Sequence, residues 1–105
     1  MLLRGVLLSV AVLSLTACSW VKVTEEGNQV MLRGYEEVTM CKKLGYTRSL
    51  VKDKIGFIER DADKMTEELI VLAKNEAAVM GGDTIVARAP VKDGQMVFDV
   101  YRCKR

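Results

Sequence analysis

The side chains with which this chain could perform catalysis are mainly carboxylates and cysteines, because none of its 105 residues is histidine. The chain therefore lacks the usual general base near neutral pH and the commonest zinc ligand. Its carboxylates include four close pairs, namely Glu25-Glu26, Glu36-Glu37, Glu67-Glu68 and Asp61 with Asp63. Paired carboxylates can perform acid-base catalysis or bind calcium, but neighbouring residues of a helix or strand point apart. We therefore predict no enzyme, no metal site and no cofactor.

The N-terminus has the charge and hydropathy pattern of a secretory signal. Arg4 precedes an apolar stretch at residues 5–15, which is about half the roughly twenty residues that a transmembrane helix needs. The following Leu15-Thr16-Ala17-Cys18 resembles the bacterial lipobox, in which the cysteine is diacylated and becomes the new N-terminus. We predict a signal peptide at residues 1–17 and lipidation of Cys18. The alternative is ordinary secretory cleavage, which would leave Cys18 as a free thiol.

The cysteine count supports the lipidation of Cys18. Three cysteines in an exported chain leave one unpaired, and lipidation of the first allows Cys41 and Cys103 to pair in an oxidising compartment. Their spacing differs from the Cys-x-x-Cys motif of oxidoreductases, so we predict a structural disulfide. Several acyl chains anchor a protein stably in a membrane. Ser19 in place of aspartate, by resemblance to the usual sorting rule, implies the outer membrane, facing the periplasm, in preference to the inner membrane.

The expected mature chain is small and nearly neutral. Removal of 17 residues from 105 leaves 88, which is enough for one domain. Fifteen basic and fourteen acidic residues remain, whereas nucleic-acid binding usually requires a clearly basic face. We therefore predict no nucleic-acid partner, a lipidated N-terminal segment at residues 18–34 and one domain at residues 35–105.

The first half of the mature chain has weak patterns. Two short apolar stretches flank the turn-forming Glu25-Glu26-Gly27-Asn28, which predicts either a short hairpin or an extended tether. Alternation at residues 37–44, with Val38, Met40 and Leu44 on one face, predicts a strand that ends at Gly45. Residues 46–60 predict a loop, with or without a short strand.

The second half has stronger patterns. Apolar residues at helical spacing predict a helix over 63–80; they are Met65, Leu69, Leu72, Ala73, Ala77 and Met80. Asp61 or Asp63 is suited to cap its start, and Gly81-Gly82 to end it. Strands are predicted at 84–89 and 96–103, joined as a hairpin by a loop that contains Asp93-Gly94. The fold class is α+β, in the order β-loop-α-β-β, with one helix packed on one face of a small antiparallel sheet and one disulfide.

Several segments together carry a family resemblance. They are the lipobox cysteine and residues 24–30, 41–45, 73–86 and 100–103, of which Gly81-Gly82-Asp83-Thr84 and Tyr101-Arg102-Cys103 are the most specific. On these residues the chain resembles a family of small bacterial lipoproteins known as domain of unknown function 4156. That family has no established reaction, so the resemblance implies a fold and a location. A more distant likeness is to the lipoprotein sensor of the Rcs envelope-stress pathway.

These patterns leave three hypotheses for function. The first is a non-enzymatic interaction or structural module with a periplasmic protein partner, anchored to the membrane through acyl chains at Cys18. The second is a binding module for a small ligand, a peptide or a stress signal, with a pocket lined by Met40, Phe57, Phe98 or Tyr101. The third, an enzyme, requires carboxylates such as Asp61 and Glu68 to converge in a cleft. Asn75, a polar residue in the most family-like segment, could bind a ligand, satisfy a loop's backbone or face solvent.

Overall fold

One long helix packs on a four-stranded sheet. The computed structural model describes residues 22–56 and 58–104. In chain order its elements are α1 (Glu25–Asn28), β1 (Met31–Leu32), a 3-10 turn (Tyr35–Glu37), β2 (Lys42–Leu50), β3 (Lys54–Ile55), β4 (Ile58–Glu59), α2 (Ala62–Val79), β5 (Thr84–Ala87) and β6 (Gln95–Arg102). Within these two ranges, no helix is both long and apolar enough to span a membrane.

The strand order of the sheet is β1-β5-β6-β2. β1 runs parallel to β5, whereas β5 with β6 and β6 with β2 are antiparallel. β3 and β4 form a separate two-stranded hairpin. The predicted α+β class is confirmed, but the sheet is mixed rather than purely antiparallel because β1 joins it from the N-terminal segment.

In place of the predicted hairpin or tether, residues 22–32 form a capped helical turn and a strand. The Thr24 hydroxyl oxygen accepts a hydrogen bond from the Gly27 N–H at 2.9 Å, which caps the start of α1. The Met31 N–H then donates to the Asp83 carbonyl at 2.9 Å. The segment after α1 therefore pairs with the distant β5.

The predicted long helix is confirmed as α2, shifted by one residue at each end. The Asp61 carboxylate caps its start by accepting a hydrogen bond from the Asp63 N–H at 3.2 Å. At its end, the Gly82 N–H donates to the Ala77 carbonyl at 2.8 Å and the Gly81 N–H to the Ala78 carbonyl at 3.0 Å. Gly81 has a φ of 84°. This pair of bonds around a left-handed glycine is the Schellman motif.

The strand predicted at residues 37–44 is wrong in both of its bounds. Val38 is buried, but Met40 is 96% exposed in a turn that precedes β2, so their alternation does not reflect strand pleating. β2 begins at Lys42 and continues past Gly45, and a shift of register between Lys43 and Gly45 leaves Leu44 without a partner on β6, as in a β-bulge. Residues 46–60, predicted as a loop with or without a short strand, contain the end of β2 and the hairpin of β3 and β4.

The predicted hairpin near the C-terminus is confirmed as β5 and β6. Asp93 and Gly94 have φ values of 52° and 68°, and two successive positive φ values define the type I′ turn that suits the twist of a hairpin. A side chain at Gly94 would collide with the Val51 carbonyl oxygen. Only glycine fits that position.

The apolar core lies between α2 and one face of the sheet, which we call the inner face. Its buried members include Met65, Leu69, Ala73 and Ala77 from α2, with Ile85, Met96, Phe98 and Val100 from the sheet. β1 and β2 lie at opposite edges of the sheet, so residues 33–41 must cross it. Tyr35 hydrogen-bonds to Asp99, a neighbour of Phe98 whose side chain points to the opposite face. The crossing therefore runs over the face away from α2, which we call the outer face.

Candidate functional site on the outer face of the sheet

The outer face has a buried carboxylate at its centre, that of Asp99 on β6. The Tyr35 hydroxyl donates to its Oδ2 at 2.6 Å. Arg88, which directly follows β5, donates to its Oδ1 from Nε at 3.0 Å and from Nη2 at 2.7 Å. Lys43 Nζ lies 3.4 Å from the same oxygen. One anionic side chain thus binds two cations and a phenol, which come from three different parts of the chain.

These contacts fix the protonation states of Asp99 and Tyr35. Burial opposes ionisation of Asp99, but hydrogen bonds from Arg88 and Tyr35, aided by the charges of Arg88 and Lys43, outweigh burial and lower the pKa of Asp99 below its ordinary value. The hydrogen bond to Asp99, with burial of the phenol, raises the pKa of Tyr35 to about 12. Asp99 is therefore ionised and Tyr35 protonated at neutral pH.

Tyr46 extends this group toward solvent. It lies opposite Asp99 in the register of β2 with β6, and its side chain is 59% exposed. The Arg88 guanidinium carbon lies 5.0 Å from the centre of the Tyr46 ring, within the range of a cation–π interaction. We call Tyr35, Lys43, Tyr46, Arg88 and Asp99 the outer-face cluster.

The outer-face cluster is better suited to binding than to proton transfer. A general acid or base works best when its pKa lies near the operating pH, whereas the pKa values of Asp99 and Tyr35 are shifted away from neutrality in opposite directions. Lys43 and Arg88 remain about half exposed, and their two charges exceed the single charge of Asp99. Exposed cations beside an exposed aromatic ring suit an anionic partner. Across the described residues, no group of three or more His, Cys, Asp or Glu side chains is arranged to hold a metal ion.

Asp99 has a weak signal in the sequence, although it is absent from the predicted site residues. It lies between Phe98 and Val100 in a strand that is otherwise mostly apolar. Charged residues are rarely buried unless they are paired, so an aspartate in such a strand predicts a buried ion pair. The partner Tyr35 could not be identified, because the crossing of residues 33–41 over the outer face depends on the strand order.

The predicted disulfide between Cys41 and Cys103 is present, with their Cα atoms 4.5 Å apart. Cys41 precedes β2 rather than lying within a strand, and Cys103 follows β6, beside the paired residues Lys42 and Arg102. The bond therefore joins the ends of two adjacent strands. It also fixes the end of the segment that crosses the outer face.

Asp83 fixes the chain beyond β6. Its carboxylate accepts hydrogen bonds from the backbone N–H groups of Cys103 and Lys104, each at 2.8 Å, and from the Thr84 hydroxyl at 2.9 Å. Burial of Asp83 opposes ionisation, but these hydrogen bonds outweigh it and lower the pKa of Asp83. The aspartate of the family-like Gly-Gly-Asp-Thr sequence therefore has a structural role.

Asn75 holds the N-terminal segment on α2. Its Oδ1 accepts from the Thr24 N–H at 2.9 Å, and its Nδ2 donates to the Lys22 carbonyl at 2.9 Å. A side chain at Gly27 would collide with the same Oδ1. Of the alternatives for Asn75, the structure selects the one in which it satisfies the backbone of another segment.

The other predicted site residues do not form a common site. Asp61 caps α2, whereas Glu68 accepts a hydrogen bond from Arg60 Nη2 at 2.7 Å, so each carboxylate has its own structural partner. Of the residues predicted to line a ligand pocket, Met40 is in solvent and Phe98 is fully buried in the core, so these two share no pocket, whereas Tyr101 lies opposite Lys43 on the outer face. Cys18 and Phe57 lie outside the described residues, and the lipidation of Cys18 stays a prediction.

Comparison with known proteins gives one match. A family model described as "Domain of unknown function (DUF4156)" matches residues 21–103. No curated protein and no solved structure matches the chain. The matched range includes Asp99 and its three hydrogen-bonding or ionic partners, the disulfide, Asn75 and Asp83.

Proposed function

The chain belongs to the DUF4156 family, and from the geometry of the outer-face cluster we propose that it is a lipid-anchored cell-envelope protein that binds a periplasmic protein partner without catalysis. The observation that supports this most is the excess of exposed cations over carboxylate in the outer-face cluster. Charged groups of this kind steer a complementary partner toward a surface and set its orientation. The envelope-stress sensing suggested by the distant Rcs likeness remains an alternative within this proposal.

The Asn75 contacts determine how closely an anchor at Cys18 would hold the domain to the membrane. They hold the chain at Lys22, only four positions after Cys18. Four extended residues span at most about 14 Å, so acyl chains on Cys18 would keep the domain next to the membrane surface. With Ser19 following the lipidated cysteine, the proposed location is the periplasmic side of the outer membrane.

The anchoring is tested by intact mass of the protein extracted from membranes, beside a Cys18→Ala variant. We expect the wild-type mass to start at Cys18 with added acyl groups, no free thiol before reduction, and two after it. The variant should lose its membrane association. An unacylated wild type that still fractionates with membranes would contradict the anchor.

The binding is tested by photo-crosslinking in cells. A photoreactive phenylalanine analogue at position 46 lies on the outer face, and the same analogue at position 64 lies on the exposed side of α2 and serves as the control. We expect a protein adduct from position 46, absent from position 64, that weakens when Lys43→Glu is added. Equal adducts from both positions would indicate random collision rather than a binding face.

A further inference from the structure

β2 has a free hydrogen-bonding edge. It is the terminal strand of the sheet, with β6 on one side, and it is nine residues long. The Arg88 N–H donates to the Val97 carbonyl, which shows that the backbone groups of Val97 point toward β5 and away from β2. Arg48 is the partner of Val97 in the register. Because the backbone groups of Val97 point away from β2, the two residues form a non-hydrogen-bonded pair, in which each residue directs its N–H and C=O away from the other. The N–H and C=O of Arg48 therefore point outward.

The same alternation gives the direction of the backbone groups of the neighbouring residues. The Val51 N–H donates to the Gly94 carbonyl at 2.9 Å, on the β6 side, so Leu50 must direct its backbone groups outward, as Arg48 does. Tyr46, two residues before Arg48, does the same. In the described part of the chain, no other segment hydrogen-bonds to the outward backbone groups of these three residues. They form a row of donors and acceptors that suits an extended backbone.

A groove runs beside this edge, between β2 and α2. It has a volume of about 420 Å³ and is lined by Thr47, Arg48, Ser49, Leu50, Leu72 and Glu76. Successive side chains of a strand point to opposite faces. A strand added next to β2 would therefore direct alternate side chains into this groove and the others onto the outer face.

The charges along β2 indicate which side chains an added strand would carry on the outer face. β2 contains Lys42, Lys43 and Arg48 but no acidic residue. Lys43 and Arg48 lie opposite Tyr101 and Val97, on the same face as Asp99, and Arg88 lies there also. Among the side chains that the described strands place on that face, the carboxylate of Asp99 is buried and already bound by two of these cations. Acidic side chains on an added strand would meet unneutralised positive charge.

We propose that the partner binds by adding an extended, acidic segment as a strand to the free edge of β2. This inference rests on the proposed function and names the class of its partner. Backbone bonds to Tyr46, Arg48 and Leu50 supply affinity, and alternate carboxylates over Lys43 and Arg48 supply specificity. A second copy of this chain is a poor occupant, because pairing two β2 strands would bring their cations together.

The test uses a fluorescently labelled nine-residue peptide in which glutamate alternates with valine. Its binding to the mature full-length chain in detergent is measured by fluorescence anisotropy. Lysine replaces glutamate in one control peptide. Two further controls carry N-methyl groups on alternate backbone nitrogens, one set for each hydrogen-bonding register. We expect the glutamate peptide to bind at least about tenfold tighter than the lysine peptide, with weaker binding at high salt. One N-methylated peptide should lose binding and the other should keep it.

Two variants of Arg48 separate charge from backbone. Arg48→Gln removes the charge alone, whereas Arg48→Pro also removes the outward N–H and leaves the bonds to β6 intact, a change that edge strands tolerate. We expect a loss of several-fold from the first and of binding altogether from the second. Unchanged binding of both N-methylated peptides would overturn strand addition independently of how Arg48→Pro folds. A dimer of the chain that excludes the peptide would also overturn it.

The cellular crosslink distinguishes this inference from the proposed function. If the adduct at position 46 persists in Arg48→Pro while the N-methylated peptides bind equally, the partner exists but does not add a strand to β2. If position 46 yields no adduct in any variant, the proposed function itself fails.

Discussion

β6 contributes side chains to both faces of the sheet, and the two faces are stabilised by different interactions. On β6, Met96, Phe98 and Val100 are buried against α2, whereas Asp99 and Tyr101 point to the outer face. The inner face is held by the shape and burial of apolar side chains. The outer face is held by directed hydrogen bonds and ion pairs to the Asp99 carboxylate, and the side chains of Lys43 and Arg88 that make them remain partly exposed to water.

This difference separates stability from recognition. Apolar burial is the largest favourable term in folding, so the inner face should carry most of the free energy of unfolding. Exposed ion pairs contribute little stability, but they fix the positions of charges that a partner meets. The following substitutions test this separation, from the largest expected effect to the smallest.

Phe98→Ala should have the largest effect, because it leaves a cavity at the centre of the inner face. We expect a loss of about 3–5 kcal/mol in the free energy of unfolding, measured by urea denaturation. Tyr46→Ala on the outer face is the matched control, with an expected loss of about 1 kcal/mol or less. Similar losses from both would mean that the two faces share the stability equally.

Replacement of Cys41 and Cys103 by serine should have the next largest effect. The two cysteines are 62 residues apart, and closing such a loop stabilises a fold by about 2–4 kcal/mol through the entropy of the unfolded chain. Faster hydrogen exchange should accompany the loss at residues 35–41, the segment that crosses the outer face. Reduction of the wild type should reproduce both changes and leave the double variant unaffected. A reduced wild type as stable as the oxidised one would exclude a structural role.

The inner face was more predictable from the sequence than the outer face. Helix α2 and its end could be predicted from neighbouring residues alone. A helix buries every third or fourth residue, as in the stripe from Met65 to Ala77, and commonly ends at glycine. β1 and the crossing segment obey no local rule. Their position depends on the strand order, which the sequence pattern does not encode, and so Tyr35 could not be assigned to Asp99.

The incorrect prediction of a strand at residues 37–44 has a different cause. The alternation of Val38 and Met40 resembled strand pleating, but a turn that is fixed at one end by Tyr35 and at the other by Cys41 produced it. Short alternations carry little information when tertiary contacts determine the path of the backbone. The free edge of β2 was not predicted for a further reason. Glycine ordinarily weakens a strand, whereas here β2 continues through Gly45, beside a bulge at Leu44.

Asp99→Asn should have a smaller effect that depends on pH. The lowered pKa of Asp99 means that its ionised form stabilises the fold above the ordinary aspartate pKa of about 4, and that this stabilisation is lost as pH falls through the folded-state value. We expect the variant to lose about 1–2 kcal/mol at neutral pH and to show a flatter acid dependence. Some acid dependence should remain, because Asp83 also has a lowered pKa.

Glu67→Gln removes an exposed carboxylate of α2 and serves as the control for Asp99→Asn. Its unfolding curves should follow those of the wild type from neutral pH into acid. Parallel acid dependence of the wild type and Asp99→Asn would show that the carboxylate does not stabilise the outer face in its ionised form.

Tyr35→Phe should have the smallest effect and the opposite pH dependence. The hydroxyl hydrogen bond to Asp99 holds the neutral phenol, so the stabilisation is complete below the ordinary tyrosine pKa of about 10 and disappears as pH rises through the folded-state value of about 12. Because the Tyr35 side chain is 45% exposed, we expect a loss of only about 0.5–1 kcal/mol at neutral pH. The ultraviolet difference titration of wild type against variant isolates this phenol from the other two tyrosines. A midpoint near 10 in that difference would show that the phenol does not bind Asp99 in solution, and the outer face would then lack the contact that holds its crossing segment.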